Sequence, residues 1–250
     1  MSLSYITKGS GLPLVFLHGY LENKELWEEF SDYFADEQAI CIDLPGCGES
    51  PVQKEQSIES MASAVYNILE EMKIQKAFFV AHSMGGYVVL ALADLHPEIF
   101  NGLILLHSHP FADGEEKKEA RLQEIEIVKA GKKSLLLHTF IPKLYAPSFN
   151  DEKYISKSRK LAESMSEEGM IACLGAMANR KDKTQFINSV EFPVLWIYGK
   201  YDQLFNYEMA EKFDLTNPNI KKHLMLNSGH MSFIEQRDEV LSLIKAFIKS

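Results

Sequence analysis

A chain of 250 residues with 26 Lys and Arg against 35 Asp and Glu, net charge −9, is long enough for one large core. It carries no basic stripe with interleaved aromatics, which argues against nucleic acid or an anionic membrane as partner. Hydrophobic residues at 46% and charged residues at 24% exclude a disordered chain.

Three cysteines (Cys41, Cys47, Cys173) without a CxxC pair support neither a disulfide framework nor a thiolate metal site. The first residues lack a basic segment followed by an apolar run, and no stretch reaches membrane-spanning length. A cytoplasmic protein is expected.

Short apolar runs alternate with amphipathic stretches from residue 13 to about residue 107, the pattern of a parallel sheet with crossover helices. The runs 14–17, 39–42, 77–80 and 103–106 are continuously apolar, as strands covered on both faces must be. Between them, Ile58, Met61, Val65, Ile68, Leu69 and Met72 recur at helical spacing behind Ser57, a predicted N-cap.

From about Pro110 to Ser189 the pattern is helical with no convincing strand. Apolar groups fall at Leu135, Leu136, Phe140 and Ile141, and the methionines Met165, Met170 and Met177 read as helix packing. The sheet pattern then resumes with a strand at 194–198, a helical segment at 207–213, a strand near 223–226 and a closing helix at about 233–249. The expected organisation is a core of residues 1–109 and 190–250 with a helical lid, 110–189, inserted over the strand ends.

The segment from Phe78 to Ala93 reads as strand, sharp turn and helix, with Ser83 on the turn and the small residues Ala81 and Gly85 two positions either side. A helix starting just after Ser83 aims main-chain N–H groups at the space before the hydroxyl. A serine hydroxyl is a weak nucleophile, so it needs a base and a group to orient that base. His230, after Gly229 and before the last helix, is the expected base, and Asp202, after the strand at 194–198, the expected acid, with Asp113 as its rival. The expected oxyanion donors are the main-chain amides of Tyr20 and Met84.

The remaining polar candidates have plainer readings. His18 and His82 are expected to fix loop geometry, Asp43 to shape its turn, and Cys47 to be a buried thiol. A metal triplet of His107, His109 and Asp113 lacks a fourth ligand and regular spacing, so no metal is expected.

Five segments, His18-Gly19-Tyr20, the run Asp43 to Ser50, His82-Ser83-Met84-Gly85-Gly86, Tyr198 to Asp202, and Ser228-Gly229-His230, together resemble the α/β-hydrolase family. The likeness covers about two-thirds of the chain and skips the lid; Ala81 stands where the elbow usually has its first glycine. It implies an α/β fold with a mostly parallel, twisted sheet and helices on both faces. It also implies esterase, lactonase, thioesterase or lyase chemistry on a small molecule, without cofactor.

The expected activity is hydrolysis of a small, mostly apolar carboxylic ester or lactone through a Ser83–His230–Asp202 triad and an acyl-enzyme. The alternatives are the same triad used for lyase or carbon–carbon chemistry, and a low-turnover ligand sensor. Oligomeric state is left open.

Overall fold

The computed structural model describes residues 2–249. Its centre is a seven-stranded sheet in the order β1-β3-β2-β4-β5-β6-β7. The strands are β1 (Tyr5–Lys8), β2 (Pro13–Leu17), β3 (Gln38–Ile42), β4 (Ala77–His82), β5 (Phe100–Leu106), β6 (Val194–Gly199) and β7 (Ile220–Met225). Only β1 runs antiparallel, pairing with β3 from Tyr5↔Ile42 to Lys8↔Ala39; the other neighbours are parallel.

The inner strands are buried along almost their whole length, which is why they read as continuous apolar runs rather than alternating ones. β1 is mostly exposed and carries no such run, so the sequence pattern passes over it.

Seven described helices have eight or more residues: α1 (Ile58–Glu71), α2 (Met84–Leu95), α3 (Glu115–Lys129), α4 (Lys133–Phe140), α5 (Glu152–Ser164), α6 (Glu167–Ala178) and α7 (Arg237–Ile248). Ser57 caps α1 as expected: its hydroxyl accepts from the Ser60 N–H at 3.0 Å, while the Ser60 hydroxyl accepts from the Ser57 N–H at 2.9 Å. The closing helix is shorter than its apolar pattern. A four-residue turn, Ser232–Glu235, precedes it, and Gln236, with φ −129°, separates the two.

Helices α3 to α6 all fall between β5 and β6, in the segment that reads as helical. Leu135 is exposed there, whereas Leu136 and Ile141 are buried. Among the described residues no helix is long and apolar enough to cross a membrane.

The sheet and α2 meet closely at Gly85, where a Cβ would lie 2.7 Å from the carbonyl oxygens of both Leu17 and His18. This approach sets the start of α2 against the end of β2, so the turn between β4 and α2 and the loop after β2 share one edge of the sheet. Ser57→Ala should lower unfolding free energy by about 1 kcal/mol by removing the α1 cap. Denaturant unfolding checks this, and an unchanged midpoint with an unchanged slope would contradict it.

Candidate active site

Four described residues other than glycine have positive φ, and three of them, Leu21, Ser83 and His107, lie in loops at the carboxyl ends of β2, β4 and β5. Ser83, at φ +50° and ψ −116°, has strained backbone of a kind that persists only where its surroundings enforce it. The enforcement is visible. Its N–H donates to the Leu106 carbonyl at 3.0 Å, and its carbonyl accepts from the Ser108 hydroxyl at 2.7 Å. The chain is thus held in a sharp strand-to-helix turn with Ser83 at its apex.

Asp202 and His230 are brought together. The His230 Nδ1–H donates to Asp202 Oδ2 at 2.7 Å, and Asp202 Oδ1 accepts from the N–H groups of Leu204 and Phe205 at 2.8 and 3.0 Å. A fourth donor comes from a residue that sequence reasoning assigned no such role. The Ser232 N–H donates to His107 Nε2 at 3.3 Å, so the proton sits on His107 Nδ1, which donates to Asp202 Oδ2 at 3.1 Å.

Burial alone would raise the Asp202 carboxyl pKa. The His230 charge and the two ring hydrogen bonds outweigh that and hold it well below the usual carboxylate range. Burial also pushes His107 down to about 4, so this second ring is a neutral donor. No pattern in the sequence marks His107, because its role comes from where β5 ends beside the Asp202 loop.

The donor atoms of His107, Asp202 and His230 lie within 4.8 Å of one another, but they are joined by hydrogen bonds through the shared carboxylate. The second ring nitrogen of His107 is already occupied by Ser232. These contacts use both nitrogens of His107 and both oxygens of Asp202. The proposed triplet of His107, His109 and Asp113 does not assemble: Asp113 instead pairs with Arg121 at 2.5 Å and Arg180 at 2.8 Å. The same pairing removes Asp113 as rival to Asp202.

Ser83, His230 and Tyr20 line one cavity of 230 Å³. Among the described residues no hydrogen bond joins the Ser83 hydroxyl to the His230 ring. Met84 is fully buried beneath the turn as the first residue of α2, where a main-chain N–H has no acceptor within the helix. Met177 also lines the cavity, whereas Met165 and Met170 are buried in packing. The sequence carries no basic stripe, yet Lys117 and Arg121 of α3 reach this cavity wall.

The loops around the cavity are fixed by buried histidines. His18 Nε2 accepts from the Leu44 N–H at 3.0 Å and its Nδ1–H donates to the Gly19 carbonyl at 2.8 Å, a neutral brace between two loops. Asp43 accepts from the Lys24 and Glu49 N–H groups and from Lys24 Nζ, and so shapes its turn. Cys47 is a buried thiol 3.8 Å from Cys173 of α6.

Both nitrogens of His82 face acceptors: Nδ1 lies 2.9 Å from Glu22 Oε2 and Nε2 lies 3.0 Å from the His230 carbonyl. Only an imidazolium donates to both. Burial opposes that charge, but the Glu22 carboxylate and these hydrogen bonds outweigh it and raise the His82 pKa. Glu22 is shifted down by the reverse of the same interaction, its burial being outweighed by the His82 charge. Glu22 also accepts from the Gly19 N–H at 2.5 Å, tying the loop after β2 to the backbone of His230.

A model of the alpha/beta hydrolase fold matches residues 13–126. Over 99% of its length the chain superposes on a thermophilic esterase from Thermogutta terrifontis, with 28% identity, a TM-score of 0.93 and 93% of that chain covered. The chain has the α/β-hydrolase fold.

It is an enzyme. It is 25% identical over 247 residues, 96% of this chain and 93% of the relative, to the 2-succinyl-6-hydroxy-2,4-cyclohexadiene-1-carboxylate synthase of Enterobacter sp. (strain 638). It is 23% identical over 242 residues, 96% of this chain and 97% of the relative, to the pimeloyl-[acyl-carrier protein] methyl ester esterase of Legionella pneumophila (strain Corby).

The Glu22–His82 pair gives the protein a defined pH response. The raised His82 pKa adds stability that is complete below about 6.5, the unfolded value, and is lost as pH rises through the folded one. The lowered Glu22 pKa adds stability present above about 4.5 and lost as pH falls through its folded value. Thermal midpoints followed by circular dichroism should therefore decline above neutral pH, and Glu22→Gln should flatten that decline. An equally steep decline in the variant would contradict the assignment.

Proposed function

We propose that the protein hydrolyses a small-molecule carboxylic ester, with Ser83 as nucleophile, His230 as general base and Asp202 as the acid that orients it. The observation that carries this reading is the 2.7 Å contact between His230 Nδ1 and the Asp202 carboxylate at a cavity whose wall also holds the strained Ser83.

With Nδ1 donating to Asp202, Nε2 of His230 is left as the basic nitrogen, the form a base must have to take the Ser83 proton. Ser83 Oγ then attacks the ester carbonyl, and the main-chain amides of Tyr20 and Met84 receive the oxyanion. Expulsion of the alcohol, protonated by His230, leaves an acyl-enzyme. Water, deprotonated by the same ring, releases the acid and restores Ser83. The missing Ser83–His230 hydrogen bond belongs to the substrate-bound state in this scheme, since such contacts tighten on binding.

Residues 110–189 act as the lid in this reading. Their tie to the site is direct: the His230 N–H donates to the Leu144 carbonyl at 2.8 Å, and Glu235 accepts from the N–H groups of Ala146, Gly229 and Met231. Lid position and the position of the base are therefore coupled.

The similarity to a synthase favours a second reading, in which the same residues serve carbon–carbon bond chemistry. Ester turnover separates the two. Short-chain esters should be hydrolysed by the wild type, with kcat falling on the order of 10³-fold or more in Ser83→Ala, His230→Ala and Asp202→Asn alike. Rates unchanged by Ser83→Ala would refute the nucleophile assignment, and absence of ester turnover with intact folding would favour the second reading.

A further inference from the structure

Next to the reactive groups, the same cavity has a charged wall that ester hydrolysis alone leaves unexplained. Lys117 and Arg121 of α3 line it, and Arg180 lies behind, its guanidinium 4.0 Å from the centre of the Tyr87 ring. Asp113 bridges the two arginines through separate oxygens. The other carboxyl group in their field is Glu124, whose pKa is raised by burial. Lys143 also acts on Glu124, and Lys117, its pKa lowered by burial, is paired to neither carboxyl group among the described residues. Cations outnumber carboxyl groups on this wall.

Two buried polar groups on this wall also lack partners. The Tyr20 hydroxyl has no hydrogen bond, and burial raises its pKa so that it keeps its proton and remains a donor. His109, stacked between Phe111 and Phe205, meets the Tyr87 hydroxyl at 3.2 Å through Nε2, while its Nδ1 has no partner.

Burial pushes His109 down to about 3, so the ring is neutral and holds one proton. If Tyr87 donates to Nε2, the Nδ1–H is left over. If Nε2–H donates to Tyr87, the phenol proton is left over. One donor of the Tyr87–His109 pair therefore has no protein partner in either tautomer, whereas buried donors as a rule have a protein or water partner.

We propose that the cavity binds an ester whose non-reacting part ends in a carboxylate, received by Lys117 and Arg121 with the Tyr20 hydroxyl donating to it. The inference deepens the reading of Ser83 as nucleophile by naming the substrate class. A wall on which cations outnumber carboxyl groups suits an anionic end group. Phe140, Met177 and Phe205 provide the apolar wall for the carbon chain between the two ends. A cavity of 230 Å³ holds on the order of ten non-hydrogen atoms.

The test is calorimetric binding to the Ser83→Ala protein, which reads the subsite whether or not Ser83 is the nucleophile. Monomethyl adipate places the carboxylate on the acyl side, 5-acetoxypentanoate places it on the alcohol side, and methyl hexanoate is the neutral analogue of the first, with a methyl group in place of the carboxylate. One of the acidic esters should bind about tenfold tighter than methyl hexanoate or better, as expected for hydrogen bonds to a charged group. Lys117→Met should remove most of that advantage and Lys117→Arg should restore it. Equal affinity for the three esters, or an advantage that persists in both Lys117→Met and Arg121→Gln, would overturn the proposal. Loss of ester turnover in Ser83→Ala is read separately and bears only on the nucleophile.

Discussion

The buried carboxylate of Asp202 is the constraint around which the site is arranged. A charge taken out of water is stable only if donors replace its hydration, and here four do: two main-chain amides on one oxygen and two imidazole N–H groups on the other. Those donors come from the loops after β5, β6 and β7, so satisfying one anion draws three strand ends together. The same act fixes the His230 ring with its basic nitrogen left available, which is the property that the proposed chemistry needs.

A second buried charge pair works on the other side of the site. Glu22 and His82 bind the loop after β2, the elbow after β4 and the backbone of His230 into one unit. The strained conformation of Ser83 costs on the order of 1–3 kcal/mol. Close packing at Gly85 and the Ser108 hydrogen bond leave the turn no relaxed alternative. The inserted helices are tied to this edge of the sheet where the Leu144 carbonyl accepts from the His230 N–H and Glu235 accepts from the Ala146 N–H.

The parallel strands were legible because burial on both faces demands continuous apolar runs, and α1 because a capped amphipathic stripe has a clear period. β1 was not, since an exposed edge strand needs no apolar pattern, and the break at Gln236 was not, since the apolar period runs through it. In the site, Ser83, Asp202 and His230 sit in local turn contexts that a linear reading detects. His107 and the paired charges of Asp113, Arg121 and Arg180 do not, because their partners lie up to 125 positions away and only the fold brings them together. Composition likewise hid the charged cavity wall: a chain with net charge −9 still places Lys117 and Arg121 beside its reactive groups.

The account rests on the convergence of one hydroxyl, one imidazole and two amides on a single reacting atom. The most direct test is a crystal structure of the protein after reaction with a small alkyl fluorophosphonate. The account predicts phosphorus bonded to Ser83 Oγ, its phosphoryl oxygen within hydrogen-bond distance of the Tyr20 and Met84 amides, and His230 still held by Asp202. An adduct on another residue, or a phosphoryl oxygen turned away from both amides, would contradict it.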